Sequence, residues 1–157
     1  MTTKLGSALA GLALIAGLGL APAVLSAPAY AVDNMLSTDA PDLTSVRAKI
    51  KAKDYSAALA ELRKLADDVQ HADVYNLLGF ALRKTGDFKT SLTYYTKALE
   101  MQPEHKAARE YLGELYVETG NMEKAREQLA ILAKLCPGGC EEREDLQKVI
   151  SAKSASN

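Results

Sequence analysis

The sequence predicts an all-α fold: an α-solenoid of about three helix-turn-helix repeats closed by a C-terminal capping helix. Three observations predict it. Beyond its first 31 residues the chain is rich in Ala, Leu, Glu, Lys and Arg, with no Trp and few β-branched residues, which favours helices and offers little to a sheet. Ala108, Tyr111, Leu112, Leu115 and Tyr116 recur at i, i+3, i+4, i+7 and i+8, the stripe of an amphipathic helix with one buried side. A shift of 34 positions superposes Leu78 on Leu112, Gly79 on Gly113, Thr85 on Thr119, Gly86 on Gly120 and Pro103 on Pro137.

Residues 1–31 read as an address rather than as part of the fold. Lys4 precedes an uncharged run from Leu5 to Leu25, and Ala29-Tyr30-Ala31 sets small residues at the −3 and −1 positions of a signal-peptidase site. Cleavage after Ala31 makes Val32 the first mature residue. An uncleaved anchor is the rival reading, because about 20 apolar residues span a bilayer. Gly17, Gly19, Pro22 and Pro28 weaken a continuous helix there. The short leader is of bacterial type, so the protein is expected in the periplasm or the medium, touching a membrane only if the leader stays. The remaining 126 or so residues suit one compact domain. Without Lys4 they carry 18 basic and 20 acidic side chains, a balance that gives no strong pull toward nucleic acid or anionic lipid.

Residues 32–38 read as a disordered lead-in, and 39–71 as a degenerate first repeat. Tyr55, Ala58, Leu62 and Leu65 align there with Phe88, Ser91, Tyr95 and Ala98. This copy runs one residue short, has Lys53 where the others have a turn glycine, and ends without a proline. A terminal repeat is expected to be atypical, because one of its faces meets solvent. In the second and third repeats, 72–105 and 106–139, Gly86 and Gly120 take the position that ends the first helix. Asp87 and Asn121 then cap the second helix, and Pro103 and Pro137 stop it. Gly79 and Gly113 stand mid-helix, where glycine costs about 1 kcal/mol relative to alanine. The expected compensation is close approach by the second helix of the same repeat. From 140 to 152 a capping helix is expected, with Glu141 and Glu142 at its positive end and Leu146, Val149 and Ile150 as its apolar stripe. Residues 153–157 read as a disordered tail.

Cys136 and Cys140, the only two cysteines, flank a Pro-Gly-Gly turn between the last repeat and the cap. In an oxidising compartment two such neighbours pair, so a structural disulfide is expected, fixing the angle at which the cap docks. A redox-active pair is the sharper alternative, although C-x3-C differs from the C-x-x-C spacing of thioredoxin-like sites. Zinc would need two further ligands, and His71 and His105, at repeat boundaries far upstream, read as polar residues of connecting turns. No G-x-S-x-G elbow or phosphate-binding glycine loop occurs in the mature chain. The pairs Asp67-Asp68 and Glu141-Glu142 are carboxylates of the kind that usually lie on a solvated face. The expectation is therefore no catalysis, no metal and no cofactor.

The repeated segments read Tyr75-x2-Leu78-Gly79-x2-Leu82, Ser91-x3-Tyr95, Pro103, and then Arg109-x2-Leu112-Gly113-x2-Tyr116, Ala125-x3-Leu129, Pro137. In this they resemble the tetratricopeptide repeat family, whose pattern is W-x2-L-G-x2-Y, then A-x3-F, then P. The resemblance implies a groove lined by the first helix of each repeat. It would carry Arg47 and Ile50, then Asp73, Asn76, Phe80 and Arg83, then Ala107, Glu110, Glu114 and Val117. Phe80 either points into that groove or packs on the neighbouring repeat. Asn76 and Arg83 partly echo the cluster with which some members grip a terminal carboxylate, but Glu110 and Glu114 would repel one. What the resemblance implies is a non-catalytic adaptor for a protein or peptide partner of the cell envelope. The alternatives are a redox or metal accessory factor of envelope protein maturation acting through Cys136 and Cys140, and an array that associates with itself.

Overall fold

The computed structural model describes residues 40–155. The expected leader with its expected Ala31–Val32 cleavage site, the expected lead-in 32–38, Asp39 and the last two residues lie outside the described residues. Among the described residues seven helices follow one another: α1 (Thr44–Lys51), α2 (Tyr55–Asp68), α3 (Ala72–Lys84), α4 (Phe88–Met101), α5 (Lys106–Glu118), α6 (Met122–Leu135) and α7 (Glu141–Ala155). Among the described residues there is no strand, and no helix is long and apolar enough to cross a membrane. The first six helices form three antiparallel pairs, and α7 covers the last pair.

Local chemistry repeats along the array. Asp54, Asp87 and Asn121 stand just before α2, α4 and α6, and each side chain accepts a first-turn backbone N–H, from Ala57, Thr90 and Lys124. These caps satisfy donors that a helix start leaves orphaned. The turns before them share one geometry. The N–H of Asp87 bonds to Leu82 O and that of Gly86 to Arg83 O. Asn121 and Gly120 repeat this on Tyr116 and Val117, and Asp54 and Lys53 on Lys49 and Ile50. Each is a Schellman ending that needs one left-handed residue. Gly86 and Gly120 supply it at φ 88° and 80°; in the degenerate first repeat Lys53 does so at 61°.

His71 and His105 do more than fill turns. Each caps the helix that follows, through a ring Nδ1 that accepts the N–H of Asp73 or Ala108. With Nδ1 accepting, the proton of His105 sits on Nε2, which meets Asp73 Oδ1 at 3.0 Å and ties the start of α5 to the start of α3.

The core is continuous from Leu43 to Leu115, with Tyr75, Tyr95, Leu62 and Leu78 among its fully buried members. Gly79 meets the second helix of its own repeat: a Cβ there would lie 2.7 Å from ring carbons of Tyr95 on α4. Gly113 departs from that expectation. Its nearest neighbour is Leu146 of the capping helix, with Cδ1 2.7 Å from where a Cβ would sit. Leu146 and Ile150 thus close a second cluster with Val117, Ala125 and Leu132. The capping helix also runs three residues beyond 152, because Ser151 to Ala155 contain neither Gly nor Pro to stop it, and Ser154 bonds back to Ile150 O at 2.9 Å. Cys136 and Cys140 are joined by a disulfide, their Cα atoms 6.0 Å apart, at the junction of α6 and α7.

Candidate peptide-binding groove

The first helices of the pairs, α1, α3 and α5, share one face, and a cavity of about 240 Å³ opens on it. Arg47, Ile50 and Lys51 line it from α1, Leu77 and Phe80 from α3, and Tyr111 from α5. Phe80 is half-buried and belongs to both environments foreseen for it. Its ring meets Tyr111 at 5.0 Å and Tyr55 at 6.4 Å between centroids, and its remaining surface forms the cavity wall. Aromatic rings held this way present a large apolar area with little rotamer entropy left to lose. Arg47 and Lys51 are exposed at the α1 end.

Several residues expected to line the groove do not. Arg83 is only 3% exposed. Its guanidinium lies over the rings of Phe80 and Tyr111, donates to Glu118 Oε1 at 2.6 Å and pairs with Glu114, so it staples α3 to α5 and is not free for a partner. Glu114 is used up in the same pair. Asn76 is buried, with Oδ1 unpartnered, and Val117 belongs to the second apolar cluster. Asp73 is engaged by His105. Asn76, Phe80 and Arg83 share one side of α3, and that side holds both the groove wall and the seam with the next repeat. Arg47, Ile50 and Phe80 do reach the cavity. Tyr111 belongs to the stripe expected to be buried, and Leu77 stands 34 positions before it; that equivalence was the available signal.

Glu110, with Ala107, points elsewhere. Together with Tyr111 of α5 and Glu141, Glu142 and Asp145 of α7 these residues line a second cavity of about 190 Å³. Tyr111 stands between the two cavities and contributes to both. Burial, reinforced by Glu114, Asp145 and Glu142, pushes the Glu110 carboxyl up to about 8, against a smaller opposing pull from Arg83. Burial and then Glu110 likewise raise the Tyr111 hydroxyl. No three His, Cys, Asp or Glu side chains among the described residues converge as a metal site would require.

Residues 77–139 match the family model for the tetratricopeptide repeat. These are tetratricopeptide repeats. The tetratricopeptide array has the same fold as a crystal structure of PcrH in complex with the chaperone binding region of PopD, at TM-score 0.62 and 14% identity, over 71% of this chain and 87% of that one. A type III secretion (T3SS) complex from Aeromonas hydrophila matches at TM-score 0.63 and 14% identity, over 72% and 78%. PcrH with the chaperone binding region of PopB matches at 0.58 and 15%, over 74% and 99%. In sequence, the array is 29% identical over 84 residues to the uncharacterized protein ycf37 of Guillardia theta, covering 50% of this chain. The chain spans about half of that relative, 47% of its length.

Proposed function

We propose that this protein is a non-catalytic adaptor that holds a peptide segment of a partner protein in the groove of α1, α3 and α5. The observation that carries this reading is the cavity walled by Phe80 and Tyr111. Two aromatic rings are held there by packing, with an open apolar surface between them and cations at one end. Helical repeat arrays present extended surfaces of this kind, and a pocket for one apolar anchor is what a segment in a groove engages. The similar folds whose crystal structures hold chaperone binding regions add support by analogy. The signal-peptide pattern in residues 1–31 supports a periplasmic or secreted setting, and a partner in the cell envelope.

The test is site-specific photocrosslinking of the full chain in its host. A photoreactive residue replaces Arg47, on the cavity rim, or Arg126, exposed on α6. A discrete adduct from position 47, absent at position 126 and lost when Phe80→Ala is added, supports the groove. Equal adducts from both positions, or adducts indifferent to Phe80→Ala, refute it.

A further inference from the structure

The acidic cavity beside Tyr111 lies where α5 meets α7, and its charges are not explained by helix chemistry alone. Glu141 and Glu142 lie in the first turn of α7, where carboxylates suit the positive end of a helix. That does not account for Asp145, one turn further on, nor for Glu110, which comes from α5. Glu110 is only 8% exposed, yet among the described residues its side chain has neither a hydrogen-bond donor nor an ion-pair partner, and it lines the cavity. Glu141, Glu142 and Asp145 are equally without a cationic partner among the described residues. A buried acid left unpaired among other acids works against folding unless something else uses it.

We infer that this cavity receives a basic side chain, lysine or arginine, from the segment whose apolar anchor fills the Phe80–Tyr111 cavity. The inference rests on the groove reading and names the chemistry of its occupant. Three observations join the two cavities into one site. They share the Tyr111 ring, so one segment laid across that ring reaches both. Apolar lining on one side, and on the other the carboxylates of Glu141, Glu142 and Asp145 with the Glu110 carboxyl, which a bound cation draws toward its charged form, complement an apolar residue next to a base. Arg47 and Lys51 stand at the far end of the apolar cavity, so the charge along the face runs from positive at α1 to negative at α7. A segment with its base at α7 and any acid toward α1 matches that polarity, and the reverse orientation meets like charges at both ends.

The probes are fluorescent peptides of about three helical turns on an Ala/Gln background, carrying Leu with Lys, Leu with Gln, or Ala with Lys one turn apart. They are titrated by anisotropy against the full chain and against Phe80→Ala, Asp145→Asn and the double variant Glu110→Gln/Asp145→Asn. Circular dichroism verifies the fold of each, and Asp145 is exposed, so its single variant leaves the core untouched. The expected result is that Leu/Lys binds about tenfold tighter than Leu/Gln, with the advantage shrinking in salt and vanishing in the double variant. Ala/Lys and Phe80→Ala are expected to lose most of the binding. Equal affinity for Leu/Lys and Leu/Gln, both lost with Phe80→Ala, overturns the basic-residue inference and leaves the groove standing. Failure of every peptide to bind, or binding unaffected by Phe80→Ala and by removal of the Leu, overturns the groove reading and this inference with it.

Discussion

Arg83 of α3 donates to Glu118 of α5 at 2.6 Å, although the two stand 35 positions apart in the chain. With Glu114 as second partner and two aromatic rings beneath it, this guanidinium is the charged joint between the second and third repeats. Removing it leaves Glu114 half-enclosed with no counter-charge. Arg83→Met is therefore expected to cost about 3 kcal/mol in urea denaturation, and Arg83→Lys to recover only part of that, since an ammonium cannot serve both carboxylates and the rings. An Arg83→Met variant within about 0.5 kcal/mol of the parent would show that the joint contributes packing alone.

Lys53 occupies the left-handed position that Gly86 and Gly120 hold in the other repeats. A side chain there crowds the backbone, at about 1 kcal/mol or more, partly offset by the lower entropy of the unfolded chain. Lys53→Gly should raise stability by about 0.5–1 kcal/mol, while Gly86→Lys should lower it by about 1. The paired melting temperatures check the sign directly; loss of stability in Lys53→Gly would contradict the strain.

Gly113 and Leu146 form the contact through which the capping helix seats. Gly113→Ala should cost about 1–3 kcal/mol, because the Leu146 side chain is fully buried and has nowhere to retreat. In a double-mutant cycle with Leu146→Ala the two losses should be strongly sub-additive, since the smaller side chain removes the collision. Additive losses would place the strain elsewhere, for instance against α6.

Glu110 makes stability depend on pH. Its carboxyl keeps its proton in the fold to about 8, whereas the unfolded chain releases it near 4.5. Between those values the unfolded state binds fewer protons, so this group's contribution falls as pH rises through that window and is fully present below it. Glu114 on the same helix, Glu142 and Asp145 on α7, Arg83 on α3 and the Tyr111 hydroxyl are the charged and titratable groups around it. Glu110→Gln should match the parent at pH 4 and exceed it by about 1–2 kcal/mol at pH 9, allowing for screening at the cavity mouth. Parallel stability curves for parent and variant across that range would refute the shift.

Much of the array was legible because its determinants are local. The caps at Asp87 and Asn121, the glycine turns at 86 and 120, and the proline stops at 103 and 137 each act on backbone groups within a few residues. The groove was legible only in part. Helical periodicity places Asn76, Phe80, Arg83, Glu110, Glu114 and Val117 on one side of their helices, but that side contains both the groove floor and the seams between repeats. Phe80 fell on the floor and Arg83 in a seam, a difference of less than one turn.

By itself the sequence determined the all-α class, the 34-residue period and the turn chemistry, since each depends on near neighbours and on composition. Only the tertiary structure decided which charges are free. Arg83 is neutralised by acids 31 and 35 residues away, Gly113 is filled by a leucine of the capping helix, and Glu110 is left facing three acids of that same helix. The physical reason is that burial and the balance of charge at a side chain are set by whatever packs against it. In a stack of repeats that neighbour comes from the next repeat or the cap, beyond the reach of any local pattern.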